Sequence, residues 1–122
     1  MGKHVLLVED EANIIEAIRF LLTRDGWHVE AHADGGTACK RIRERLPDLV
    51  ILDLMLPGKN GLDILRELRG DPDFVDLPVL MLTARGQELD RDLATQAGVS
   101  RFMTKPFSNA DVLDAVRDLA AG

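Results

Sequence analysis

The sequence contains no tyrosine, one tryptophan and one cysteine in 122 residues, and no apolar run approaching the roughly 20 residues of a membrane span. A single cysteine excludes an internal disulfide and a zinc site built on paired thiolates, so Cys39 reads as a small core residue on a helix. Positive charge is scarce as well. With 21 acids against 15 lysines and arginines the formal net charge is −6, which excludes a nucleic-acid surface built on clustered cations. The start MGKHVLLVEDE has a short apolar run followed at once by acids, the wrong shape for a secretory signal, and the expected location is cytoplasmic, with no membrane contact. No repeat, low-complexity tract or linker interrupts the chain, and residues 1–122 are expected to form one domain.

What is present is an alternation of short apolar runs with helical patterns. Strands are expected at His4 to Val8, His28 to Ala33, Leu49 to Asp53, Val79 to Thr83 and Arg101 to Thr104. The first helix should bury Ile14, Ile15, Ile18, Leu21 and Leu22 and stop at Asp25-Gly26, and the second, after Asp34, should bury Ala38, Cys39 and Ile42 before Pro47. A third helix from Asn60 points Leu62, Leu65 and Leu68 inward, a fourth does so with Leu89, Leu93 and Ala97, and a fifth starts at Ser108 with a capping box to Asp111 and buries Val112, Val116 and Leu119. Five strands alternating with five helices imply an α/β fold with one parallel sheet and helices on both faces. The first, third and fourth strands are apolar at nearly every position, whereas HVEAHA alternates and RFMT is short and partly polar. With those two at the edges, the strand order is 2-1-3-4-5, that of a flavodoxin-like three-layer sandwich.

In such a sheet ligands bind beyond the carboxyl ends of the strands. Glu9, Asp10 and Glu11 follow the first strand, Asp53 ends the third, Thr83-Ala84 ends the fourth, and Lys105-Pro106 follows the fifth. Glu9, Asp10 and Asp53 should converge, and like charges in one place call for a cation. An all-oxygen set with few carboxylates suits Mg²⁺. A lysine and a hydroxyl beside a metal and a carboxylate are the parts that hold phosphoryl oxygens, so the site reads as phosphoryl chemistry on a carboxylate.

The segments VLLVEDE, VILDLMLPGKNG, MLTA and FMTKPF, in this order, resemble the receiver domain of two-component response regulators over Lys3 to Ala120. The resemblance implies that Asp53 is the phosphoacceptor and that Asp10 binds Mg²⁺. Glu9 is then the second acid, acting largely through metal-bound water, and Met55 supplies its backbone carbonyl. It further implies that the Thr83 hydroxyl bonds the phosphoryl group, that Lys105 pairs with it, and that the bond before Pro106 is cis. Phe102 falls where the family places a switch aromatic; without a phenolic hydroxyl its coupling to Thr83 would rest on packing. The implied partners are a sensor histidine kinase or histidine phosphotransfer protein, and an unidentified downstream protein or output domain reached through the face of helix four, strand five and helix five. Where many relatives carry acids before the switch aromatic this chain has Ser100-Arg101, although Arg91 and Asp111 could still pair in a dimer. The chain ends at Ala121-Gly122 after the last helix, as expected of either a single-domain regulator or the receiver portion of a longer protein.

Other readings are less well served. A flavin phosphate would be repelled by VEDEAN after the first strand. A phosphatase of the haloacid dehalogenase type, which shares the acyl-phosphate chemistry, would want an aspartate two residues after Asp53, where Met55 stands. Glu11 reads as a solvated first-turn helix acid, Trp27 as packing, CKRIRER as a solvated helix face, and His4, His28 and His32 as residues without metal spacing.

Overall fold

The computed structural model describes residues 3–84 and 88–121. Its elements alternate as β1 (Lys3–Val8), α1 (Ala12–Arg24), β2 (Trp27–His32), a 3-10 turn (Gly35–Thr37), α2 (Ala38–Arg45), β3 (Leu49–Asp53), α3 (Gly61–Arg69), β4 (Val79–Thr83), α4 (Glu88–Gln96), β5 (Arg101–Thr104) and α5 (Asn109–Ala121). All strand pairs are parallel and the order is β2-β1-β3-β4-β5. The expected flavodoxin-like architecture is therefore the one adopted. β1, β3 and β4 are central because a strand covered on both faces must be apolar throughout, and every residue of β3 and β4 is buried.

Two cores lie on the two faces of the sheet. Val5, Leu7, Ile51 and Leu80 pack with Ile18 and Leu22 of α1 and Val112 and Val116 of α5, together with Trp27. Leu6, Val8, Leu52 and Met81 pack with α2 and α3 and with Ala94 of α4. Successive strand residues alternate between these cores, as the two-residue strand period requires. Cys39 belongs to the second core, and burial pushes its thiol up to about 11, so it is a packing residue. No helix among the described residues is long and apolar enough to cross a membrane.

Three details depart from the expected pattern. In α3 Ile64, not Leu62, joins Leu65 and Leu68 as fully buried. In α4 the expected stripe holds in part: Leu93 is half-buried and Ala97 packs against the second core, but Leu89 is exposed and the small Ala94 is the fully buried residue. α2 begins with a 3-10 turn and ends at Leu46, a left-handed residue with φ 48° just before Pro47. A β-carbon is strained in that conformation and Leu46 is 68% exposed, so its side chain contributes little in return. Leu46→Gly is expected to stabilise the fold by roughly 0.5–1 kcal/mol, read as a higher urea midpoint; an unchanged or lower midpoint would show the left-handed cap to be unstrained.

Candidate functional site

The register of the central strands brings the acids level. Val8 pairs with Leu52, so Glu9 and Asp53, each one residue further, leave the sheet side by side; Asp53 pairs with Leu82, and Thr83 follows it. Leu54 N–H donates to Leu82 O and Lys105 N–H to Thr83 O, which holds the loops after β3 and β5 against the end of β4. One carboxylate oxygen each of Glu9, Asp10 and Asp53 lies within 4.8 Å of the other two. Glu9, Asp53 and Thr83 are buried and Asp10 is exposed. The start of α3 presses on the same spot, because a β-carbon at Gly61 would overlap the carbonyl oxygen of Asp53.

Lys105 sits at the centre, its side chain only 9% exposed. Its ammonium donates to Glu9 Oε1 at 2.9 Å, Glu11 Oε1 at 3.1 Å and Asp53 Oδ2 at 3.3 Å, which uses all three of its protons. The second oxygens of Glu9 and Asp53 meet backbone donors: Glu9 Oε2 accepts from the N–H groups of Asp10 and Glu11, and Asp53 Oδ1 from that of Met55 at 3.2 Å. Burial raises the Glu9 carboxyl above its usual range, opposed by Lys105 and reinforced by Asp53. For Lys105 burial pulls downward, but Glu9, Glu11 and Asp53 together win and the ammonium is held above its usual value. Four acids and one lysine leave three formal negative charges in the cleft.

The expected residues are thus brought together: Glu9, Asp10, Asp53, Thr83 and Lys105 share one cleft. Met55 follows with its side chain half exposed to solvent and its N–H turned to Asp53. The Lys105–Pro106 bond is cis. Phe102 lies on β5, half-buried against the core, with the Arg91 guanidinium 5.0 Å above its ring. Glu11 corrects its expected role: it is the N-cap residue of α1 without a side-chain cap and reaches Lys105 instead. The only hint in the sequence is the third consecutive acid of EDE.

The model of the response regulator receiver domain family matches residues 5–117. The chain belongs to this family. As a receiver domain it is a phosphoryl acceptor of two-component signal transduction. Receiver domains as a class interact with histidine kinases and downstream effectors. A putative response regulator from Chloroflexus aurantiacus superposes with a TM-score of 0.94 at 30% identity, covering 100% of each chain. The receiver domain of a signal transduction histidine kinase from Syntrophus aciditrophicus gives 0.91 at 29% identity, covering 99% of this chain and 92% of that one. The receiver domain of a sensor histidine kinase from Pseudomonas aeruginosa, with a magnesium ion coordinated in its active-site cleft, gives 0.90 at 29% identity over 100% of both chains.

Proposed function

We propose that Asp53 is the phosphoacceptor of this receiver domain and takes its phosphoryl group from the phosphohistidine of a sensor histidine kinase or a histidine phosphotransfer protein. The observation that supports this most is the sharing of the Lys105 ammonium between Asp53 and Glu9, with Asp10 beside them. The cluster is an all-oxygen, acidic set with exposed Asp10 at its open side, which fits a hard divalent cation. Glu9, Asp10, Asp53 and the Met55 carbonyl would hold Mg²⁺. When bound, the cation would neutralise the acids and the incoming phosphoryl oxygens.

In the transfer an ionised Asp53 oxygen forms a bond to phosphorus as the phosphorus–nitrogen bond of the donor breaks. The bonding pair stays with the imidazole nitrogen, which takes up a proton. Lys105 stabilises the charge growing on the phosphoryl oxygens and the Thr83 hydroxyl donates to one of them. Later attack of water on phosphorus releases phosphate and restores the carboxylate, so the domain consumes its own phosphoryl group and turns over no independent substrate. Thr83 and Phe102 would carry the change to the face of α4, β5 and α5, where Arg91 covers the ring and packing must transmit the signal. The same reading treats residues 1–122 as one domain acting in the cytoplasm.

Incubation with acetyl phosphate and MgCl₂ tests this by intact-mass measurement. The expected product carries one phosphoryl group, stable to acid and released by hydroxylamine. An unlabelled protein would overturn the assignment, and release of phosphate from a small ester over many cycles would move it to the phosphatase class.

A further inference from the structure

The turn between β2 and α2, Asp34-Gly35-Gly36-Thr37, contains none of the residues assigned above to metal or phosphoryl group, yet it is fastened to both sides of their cleft. On one side, the carbonyl of His32, the last residue of β2, accepts the backbone N–H of Glu9 at 3.0 Å. On the other, Gly35 N–H donates to Pro57 O at 3.0 Å, in the loop that carries the chain on from Asp53 and Met55. The two turns meet backbone to backbone. A β-carbon at Gly35 would overlap the Lys59 carbonyl oxygen and come within 2.9 Å of Pro57 O, while Gly58, at φ +84°, faces Asp34 Oδ1 and Gly36 N.

Side chains lock this contact. Asp34 Oδ1 accepts Gly36 N–H at 3.1 Å, and Thr37 Oγ1 donates to Asp34 Oδ2 at 3.0 Å. His32 Nε2 stands 2.7 Å from the same hydroxyl. Because the single Thr37 proton goes to Asp34, the network assigns the proton between His32 and Thr37 to Nε2. From the far side Lys59 is ion-paired with Glu67 of α3, which also holds Arg43 of α2 at 2.9 Å.

We propose that the Asp34–Thr37 turn is a brace that sets the separation of the Glu9 and Asp53–Met55 arms of the cleft, with Asp34 and Gly35 as positioning residues for Mg²⁺ binding and phosphoryl transfer. The inference rests on the reading of the cleft given above. Residues that orient ligands from behind cost about 10–100-fold in metal affinity when lost. Asp34 is exposed and belongs to neither core.

Calorimetric titration with MgCl₂ tests the brace. Asp34→Ala and Gly35→Ala are expected to weaken Mg²⁺ binding about tenfold, and Asp34→Asn, which keeps an acceptor for Gly36 N–H, to restore it to within about threefold of wild type. At saturating Mg²⁺ the labelling rate should recover toward wild type, and amide exchange at Gly35 and Glu9 should quicken in Asp34→Ala. Val116→Ala, a destabilising change in the opposite core, should leave the affinity unchanged. Wild-type affinity in both Asp34→Ala and Gly35→Ala, or an equal loss in Val116→Ala, would overturn the brace while a labelled wild-type protein kept the phosphoacceptor reading. A wild-type protein that bound no Mg²⁺ would overturn both.

Discussion

Asp53→Ala is expected to lose phosphoryl labelling completely, at any Mg²⁺ concentration and with any donor. The variant removes the nucleophile, so supplying more metal cannot restore it. The exposed acids Asp10 and Glu11 do not replace Asp53, because neither lies at the end of a central strand with a backbone N–H and an ammonium on its two oxygens. Asp53→Asn separates chemistry from packing. It keeps the acceptor for Met55 N–H and the side-chain volume, and it removes one charge that raises the Glu9 carboxyl. Without Mg²⁺ it should therefore melt higher than wild type, by roughly 3–5 °C for about 1 kcal/mol in a domain of this size, and remain unlabelled. Labelling of Asp53→Ala at the wild-type level would place the phosphoryl group elsewhere and end the assignment.

Much of this site was legible in the sequence for one reason. In a parallel sheet a central strand must be apolar on both faces, so a polar side chain at its carboxyl end stands out, and the three central strand ends bring Glu9, Asp53 and Thr83 together. The strand order followed from which strands were not uniformly apolar. Contacts carried by small or long-range groups were less legible. In α4 the leucines suggested the inward face, but Ala94 is the fully buried residue and the larger Leu89 is turned out, since side-chain size does not report which face a neighbouring element needs. Glu11 looked like a helix-end acid because its partner is 94 residues away. The Asp34–Thr37 turn gave no periodic signal at all. Its importance lies in backbone contacts with Pro57 and Lys59 that appear only once β2 and β3 flank β1.

Lys105→Met is expected to lower both the transfer rate and the stability of the metal-free protein while raising its affinity for the metal. Phosphoryl transfer should slow by about 10²–10³, the loss typical of removing one preorganised donor from a developing oxyanion. The metal-free protein should also lose stability at neutral pH, because Glu9 and Asp53 are then buried without their cation, a change of about 3 kcal/mol. Its pH dependence has a definite sign. The Glu9 carboxyl in the folded protein already lies above its ordinary value of 4.5, so its contribution to stability is greatest below that value and is lost as pH rises through the folded value. Without Lys105 the folded value moves higher still, so the destabilisation should be small at pH 5 and large at pH 8. A dication, by contrast, no longer meets a neighbouring ammonium, and Mg²⁺ should bind more tightly and stabilise Lys105→Met more than wild type. Thermal melts at both pH values with and without MgCl₂, beside a labelling time course, read all three effects. A variant labelled at the wild-type rate would remove Lys105 from the chemistry. A variant equally destabilised at pH 5 and pH 8 would instead assign its role to packing of the lysine stem.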